Sequence, residues 1–364
     1  MADLALNKKS LLGIFKIKTE ELQGFLFMLI HAFLSGLGIA LAFTAINSLI
    51  IDYHAVHDLP KLYVYTSALL LISGYIYSKV EHKYQPKSVF RGVLIFISFW
   101  AILMSFNMSI HESLLIITIA FCTYYLIYYL SNLEYWGAAA LMFNVRQGKR
   151  LFGLLSVGES LAKISGYALT PFIITKLSVV WVFITIAICF GSSFIIFYIL
   201  SARYNDVFKV NHHHHDQKAK KPTKLTNLSI RQILKIDDFS KFISIFALLS
   251  TLTYFLFQYA FLLKVEEQFV DLEEVAIFFA SLFSVAKLLN LVIKTFFASR
   301  MLQYLGLRYI LILLPLSILF VIITGIGLVY FGQFGNSIFI WIFTIIILLD
   351  EVMRSSLYTP SYLI

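Results

Sequence analysis

Charge and cysteine are the scarce commodities in this 364-residue sequence. Only 13% of its residues are charged while 60% are hydrophobic, and a soluble chain needs roughly 25% charged residues to cover its surface. With a mean hydropathy of +0.84, disorder and a cytosolic globular enzyme are excluded. The two cysteines, Cys122 and Cys189, lie in apolar runs. They exclude a disulfide framework and a CxxC metal site, and read as small packing residues. A cleavable leader is not expected either, because residues 1–22 are a mixed amphipathic segment without a small-residue cleavage pattern. With Leu11, Leu12, Ile14 and Phe15 beside Lys16 and Lys18, this segment suits the cytoplasmic interface of a membrane.

What the chain does have is long apolar runs. A helical span takes about 20 apolar residues. Ten such stretches can be marked, near residues 24–46, 62–77, 89–106, 113–141, 152–174, 180–200, 242–263, 275–298, 310–331 and 338–357. The expected fold class is therefore all-α, a polytopic membrane protein. Of the 29 Lys and Arg, 23 fall in the amino terminus, the even-numbered loops and the chain end, three (Lys61, Lys176, Lys264) fall in odd-numbered loops, and three (Lys163, Lys287, Lys294) fall within spans. By the positive-inside rule the amino terminus and even-numbered loops are cytoplasmic. This alternation accounts for the net charge of +9 better than nucleic-acid binding does.

One long polar stretch, residues 202–241, follows six spans and divides the chain into an amino-terminal bundle over 23–201 and a second bundle from 242 to 364. The loops Gly74-Tyr-Ile-Tyr-Ser-Lys79-Val-Glu-His-Lys83 and Ser299-Arg300-Met-Leu-Gln-Tyr-Leu-Gly306-Leu-Arg308 occupy matching positions in the two halves. Both resemble, without its Asp, the Gly-x3-Asp-Arg-x-Gly-Arg-Arg pattern of the major facilitator superfamily. That plan has twelve spans in two bundles of six. It implies four helices of the second bundle here and two more beyond Ile364, with a soluble carboxy-terminal part as a further partner; a genuine ten-span protein is the alternative.

Ionisable groups inside a membrane cost about 2.5 to 3.5 kcal/mol each even on lenient scales, so they mark cavities or partners. Lys287, Asn290 and Lys294 share one helical stripe with Ser281 and Ser284. Two lysines on one face suit an anionic substrate, although Lys294 could simply snorkel to the interface. Glu134 sits near mid-depth beside Ser131 and Asn132; a substrate contact, a coupling-proton site and a partner for a lysine are its readings. Glu159 and Lys163 are spaced to pair at i,i+4, on a helix whose Gly158, Ala162 and Gly166 suit close packing. Asp350, Glu351 and Arg354 suit an ion-paired gate. His31 reads as a hydrogen-bonded interior histidine, with Ser35, Thr44, Asn47 and Ser48 giving its helix a polar face. His212 to His215 suit either a metal-binding loop or a solvated linker, and the second is adopted. Histidines elsewhere are scattered, with no catalytic cluster, so neither an enzyme nor a cofactor is expected.

The segment Asn144-Val-Arg-Gln-Gly-Lys149-Arg150-Leu-Phe152 through Gly158 to Gly166 resembles the fourth-loop and fifth-helix region of the ATP/ADP translocase family. The matching positions are Lys149, Arg150, Phe152, Gly158 and Gly166. Leu12-Gly-Ile-Phe-Lys-Ile-Lys18 and Arg354-Ser-Ser-Leu-Tyr-Thr-Pro360 are similar to further family segments. Where that family carries charges in helix one, this chain has Thr44-Ala-Ile-Asn-Ser-Leu49; after Pro360 it has Tyr362-Leu363 in place of Lys-Glu. The resemblance implies a secondary transporter of an organic anion, including nucleotide exchange of the ATP/ADP type, working by alternating access in a bacterial inner membrane. A transporter-derived scaffold or sensor acting through a carboxy-terminal domain is the alternative. Substrate contacts are then expected from Lys287, Asn290, Lys294 and Glu134, and gating from Glu159, Lys163, Asp350, Glu351 and Arg354.

Overall fold

The computed structural model describes residues 18–110, 113–208, 238–269, 271–297, 304, 316–324 and 337–353. Every regular element in them is helical. These are α1 (Thr19–Asp52), α2 (Leu59–Lys83), α3 (Pro86–Ile110), α4 (Leu114–Met142), α5 (Val145–Lys176), α6 (Val179–Arg203), the short α7 (Asn205–Phe208), α8 (Asp238–Gln268), α9 (Leu272–Val292) and α10 (Ser337–Met353). Residues 316–324 are also helical. The amino-terminal segment, the central linker with His212 to His215, the second basic loop and the end from Arg354 lie outside the described residues.

Six helices among the described residues are long and apolar enough to cross a membrane: α1, α2 with its preceding turn, α3, α4, α6 and α9. Many of their exposed residues are large and apolar, as at Leu71, Phe99 and Phe106, which is the surface a helix needs in lipid, where every backbone polar group must be satisfied within the helix. The helices outrun the apolar stretches that announce them. At 34 residues and a rise of about 1.5 Å per residue, α1 is longer than the hydrocarbon core, because its polar ends continue the same hydrogen-bond ladder.

Local sequence sets the helix starts. Asn144 and Gln147 form a reciprocal cap at the entry to α5, at 2.9 and 3.0 Å, satisfying two amide groups that the first turn leaves open. Ser113 caps α4. Between α1 and α2 the chain turns through His54 at φ 52°.

At the basic-loop end, Glu21 of α1 accepts from Arg150 and Gln147 of α5, each at 3.0 Å. Arg91 at the start of α3 reaches Ser201 at the end of α6 at 2.9 Å. The Arg150 position singled out in the sequence is thus a tie between helix ends. Lys149 lies in the same first turn of α5, and its side chain is outside the described set.

Deeper in, α5 packs most extensively on α1, and also on α9. Small residues permit the first contact. A Cβ on Gly166 would stand 2.7 Å from Ala40 Cβ and 2.9 Å from the Leu37 carbonyl oxygen, and one on Gly158 would meet Leu29. The small-residue face expected of α5 is the surface that α1 occupies.

Gly166→Val is expected to lower stability by about 1–3 kcal/mol through overpacking against backbone. Gly191→Ala, where nothing stands within 4 Å of the new Cβ, is expected to be neutral or to gain up to about 1 kcal/mol of helix propensity. Thermal denaturation of the two detergent-solubilised variants measures the difference.

A charged cavity between the helices as the candidate functional site

Three helices converge because α5 is held close to α1 on one side and crosses α9 on another. Between α4, α5, α9 and α10 lies a cavity of about 230 Å³. Its ionisable lining comes from Glu159 and Lys163 of α5, Lys287 of α9, Lys294 of the π-turn that continues α9, and Glu351 of α10. Tyr128, Asn132 and Trp136 of α4, Ser156 and Ser160 of α5, and Asn290 complete it.

The charges are paired. Lys163 donates to Glu159 at 2.6 Å, the i,i+4 pair that the spacing anticipates. Its ammonium also lies 5.4 Å from the Tyr128 ring centroid. Lys287 donates to Glu351, across 64 residues of sequence. Lys294 donates to the hydroxyl of Ser156, an uncharged partner. Among the described residues the lining thus holds three cations against two carboxylates, one surplus positive charge. Buried ion pairs offset only part of their own desolvation. Charges concentrated around a cavity of this size are therefore better placed to meet a charged solute than to stabilise the fold.

The structure gives partners that the sequence does not name. Glu351 reaches Lys287 in the cavity, while Asp350 is buried beside it and Arg354 lies outside the described residues. Glu134 is not in the cavity lining and meets no lysine among the described residues. It is fully buried and pairs with His31 of α1 at 2.9 Å. The other ring nitrogen of His31 faces Ser193 of α6, its hydroxyl at 2.8 Å and its carbonyl at 3.2 Å.

The aromatic side of the cavity was not anticipated. Tyr128, Asn132 and Trp136 recur every four residues and so share a face of α4; that periodicity is the signal that could have found them. The pairing of Lys287 with Glu351 leaves no comparable trace in the sequence.

The family model described as Major Facilitator Superfamily matches residues 136–360. No curated protein matches the sequence well enough to stand as a relative.

Removing one partner of a buried pair leaves an uncompensated charge, at a cost of about 3–5 kcal/mol. Lys163→Met is therefore expected to destabilise the protein on that scale, and Glu159→Gln combined with Lys163→Met to recover most of the loss. Denaturation of the single and double variants in detergent gives the comparison; equal losses would show that the pair does not act as a unit.

Proposed function

The chain belongs to the major facilitator superfamily and is a multi-pass membrane transporter, and we propose that its cargo is an organic anion bound in the cavity between α4, α5, α9 and α10. The observation that carries this reading is the surplus positive charge of the lining, with Lys294 held only by a serine hydroxyl among its hydrogen bonds described above. A carboxylate or phosphate oxygen arriving at Lys294 gains a charge-assisted hydrogen bond, about twice as strong as the neutral one it replaces. Asn290 and the serines of α5 supply further polar contacts, and Tyr128 and Trp136 offer ring faces or edges to the body of the solute. The cation of Lys163 and that of Lys287 are each neutralised by a carboxylate. An incoming anion competes with Glu159 and Glu351 for them, which links occupancy to the packing of α5 against α9 and α10.

Alternating access follows from where these groups sit. Glu159 and Lys163 belong to the first bundle, while Lys287, Lys294 and Glu351 belong to the second, so an anion between them reports on the relative position of the two bundles. The basic loops support an orientation with the amino terminus in the cytoplasm. A bacterial inner membrane fits the resemblance noted from the sequence. At about 230 Å³ the cavity lies below the roughly 300–1,000 Å³ usual for drug-sized ligands, which favours a small carboxylate or phosphate ester over a nucleotide.

The direct test is uptake of radiolabelled succinate, glycerol 3-phosphate, ADP and ATP into proteoliposomes holding the protein. Uptake of at least one anion is expected, with Lys294→Gln raising the half-saturation concentration tenfold or more, equivalent to about 1.4 kcal/mol. Lys287→Ala is expected to reduce transport further. Transport unchanged by both substitutions would remove the cavity as the binding site, and uptake of ATP or ADP alone would restore nucleotide exchange as the activity.

A further inference from the structure

Apart from the cavity, the most heavily buried ionisable groups meet where α1, α4 and α6 pack together. His31 and Glu134 are both at 0% exposure, with His31 Nε2 2.9 Å from Glu134 Oε2. The second carboxylate oxygen, Oε1, is buried without a hydrogen-bond partner. Tyr135 and Phe197 enclose the imidazole, their ring centroids 5.9 and 5.6 Å away.

Hydrogen-bond chemistry and burial together set how many protons this cluster holds. The carbonyl of Ser193, 3.2 Å from His31 Nδ1, can only accept, while the Ser193 hydroxyl, 2.8 Å from the same nitrogen, can donate or accept. With the hydroxyl donating, the one ring hydrogen would sit on Nε2 and leave Glu134 a buried anion. With Nδ1–H donating to the carbonyl, Nε2 and Oε2 need a second hydrogen between them, since otherwise two acceptors would face each other. That hydrogen makes the pair either imidazolium and carboxylate or imidazole and carboxylic acid. Both forms have the same composition and no net charge. Losing it would leave a buried anion with Oε1 already unpartnered, which is expensive.

We propose that the His31–Glu134 pair is the binding site for a coupling proton, taken from water on one side of the membrane and released on the other when α1 and α4 part. This rests on the transporter reading above. One proton enters the Nε2–Oε2 contact and the same proton leaves it, so no other reactant is required. A monoanion in the cavity and this proton cross together without net charge. The two sites are mechanically joined, because Asn132 and Trp136, which line the cavity, flank Glu134 on α4.

Titratable groups around the pair, among the described residues, are few. Tyr135 is its neighbour on α4. Tyr77 of α2 lies within electrostatic reach of Glu134, and Glu159 of α5 acts on the Tyr135 phenol. From α6 come Ser193 and Phe197, which do not titrate. Phenols release protons near pH 10, so between pH 7 and 9 the cluster's own proton dominates.

The proton can be counted without knowing the cargo. In the unfolded chain a histidine and a glutamate release protons near pH 6.5 and 4.3, so above pH 7 they hold none, while the native pair holds one. Native stability must then fall as pH rises, the unfolding constant growing about tenfold per pH unit for this proton. SDS-induced unfolding of the full chain at pH 7, 8 and 9 is expected to show that increment in wild type and to lack it in Glu134→Gln. His31→Gln serves as the second variant should Glu134→Gln fail to fold. Equal pH dependence in wild type and variant overturns the proposal.

Proteoliposome uptake under an imposed pH gradient tests the coupling. Stimulation of succinate or glycerol 3-phosphate uptake in wild type and its loss in Glu134→Gln supports the proposal, and gradient-driven uptake that survives Glu134→Gln overturns it. A tenfold increment present in wild type and absent in Glu134→Gln, together with no uptake of any probe anion, supports the proton site and rejects the organic-anion reading instead.

Discussion

Close approach of α1 and α5 is the contact on which the rest of this structure depends. Two helices in a membrane gain little from burying apolar side chains, since lipid tails are equally apolar, and must instead pack backbone close to backbone. Gly166 against Ala40 and Leu37, and Gly158 against Leu29, make that possible. With its small face committed to α1, α5 turns Ser156, Glu159, Ser160 and Lys163 toward α9 and α10. The position of the cavity is a consequence of where the glycines are.

The same economy governs the charges. Each ionised group in the hydrocarbon region costs several kcal/mol unless it is paired, and the described residues answer that cost in two different ways. Around the cavity, lysines outnumber carboxylates and face a space large enough for a solute. At the His31–Glu134 contact both side chains are fully buried and meet each other at 2.9 Å. One arrangement suits exchange of ions, the other suits retention of one. Both are mounted on α4, whose successive residues face the cavity and the buried pair by turns. Movement of this helix therefore touches both sites together.

Much of the layout was legible in the sequence because the bilayer imposes it residue by residue. Long apolar runs announced helices, and the i,i+4 spacing of Glu159 and Lys163 announced their ion pair. Gly158, Ala162 and Gly166 announced a packing face, though not which helix would fill it. Partner choice was less legible. Glu134 read equally well as a coupling-proton site, a substrate contact or a lysine's partner, and its actual partner lies 103 residues away on α1. Glu351 pointed to a local gate with Arg354, which lies outside the described residues, and its bond to Lys287 was not legible. Tyr128 and Trp136 drew no notice, since aromatic residues are abundant in every span.

The sequence by itself determined that this chain is a bundle of membrane helices, which faces of those helices are small or polar, and where charge enters the hydrocarbon region. Those properties are local: each depends on a residue and its neighbours within two turns. Which charge meets which was decided only by the tertiary structure, because a pairing across 64 or 138 residues depends on how helices cross. Helix crossing is a sum over many small contacts. No single residue in the chain states its result.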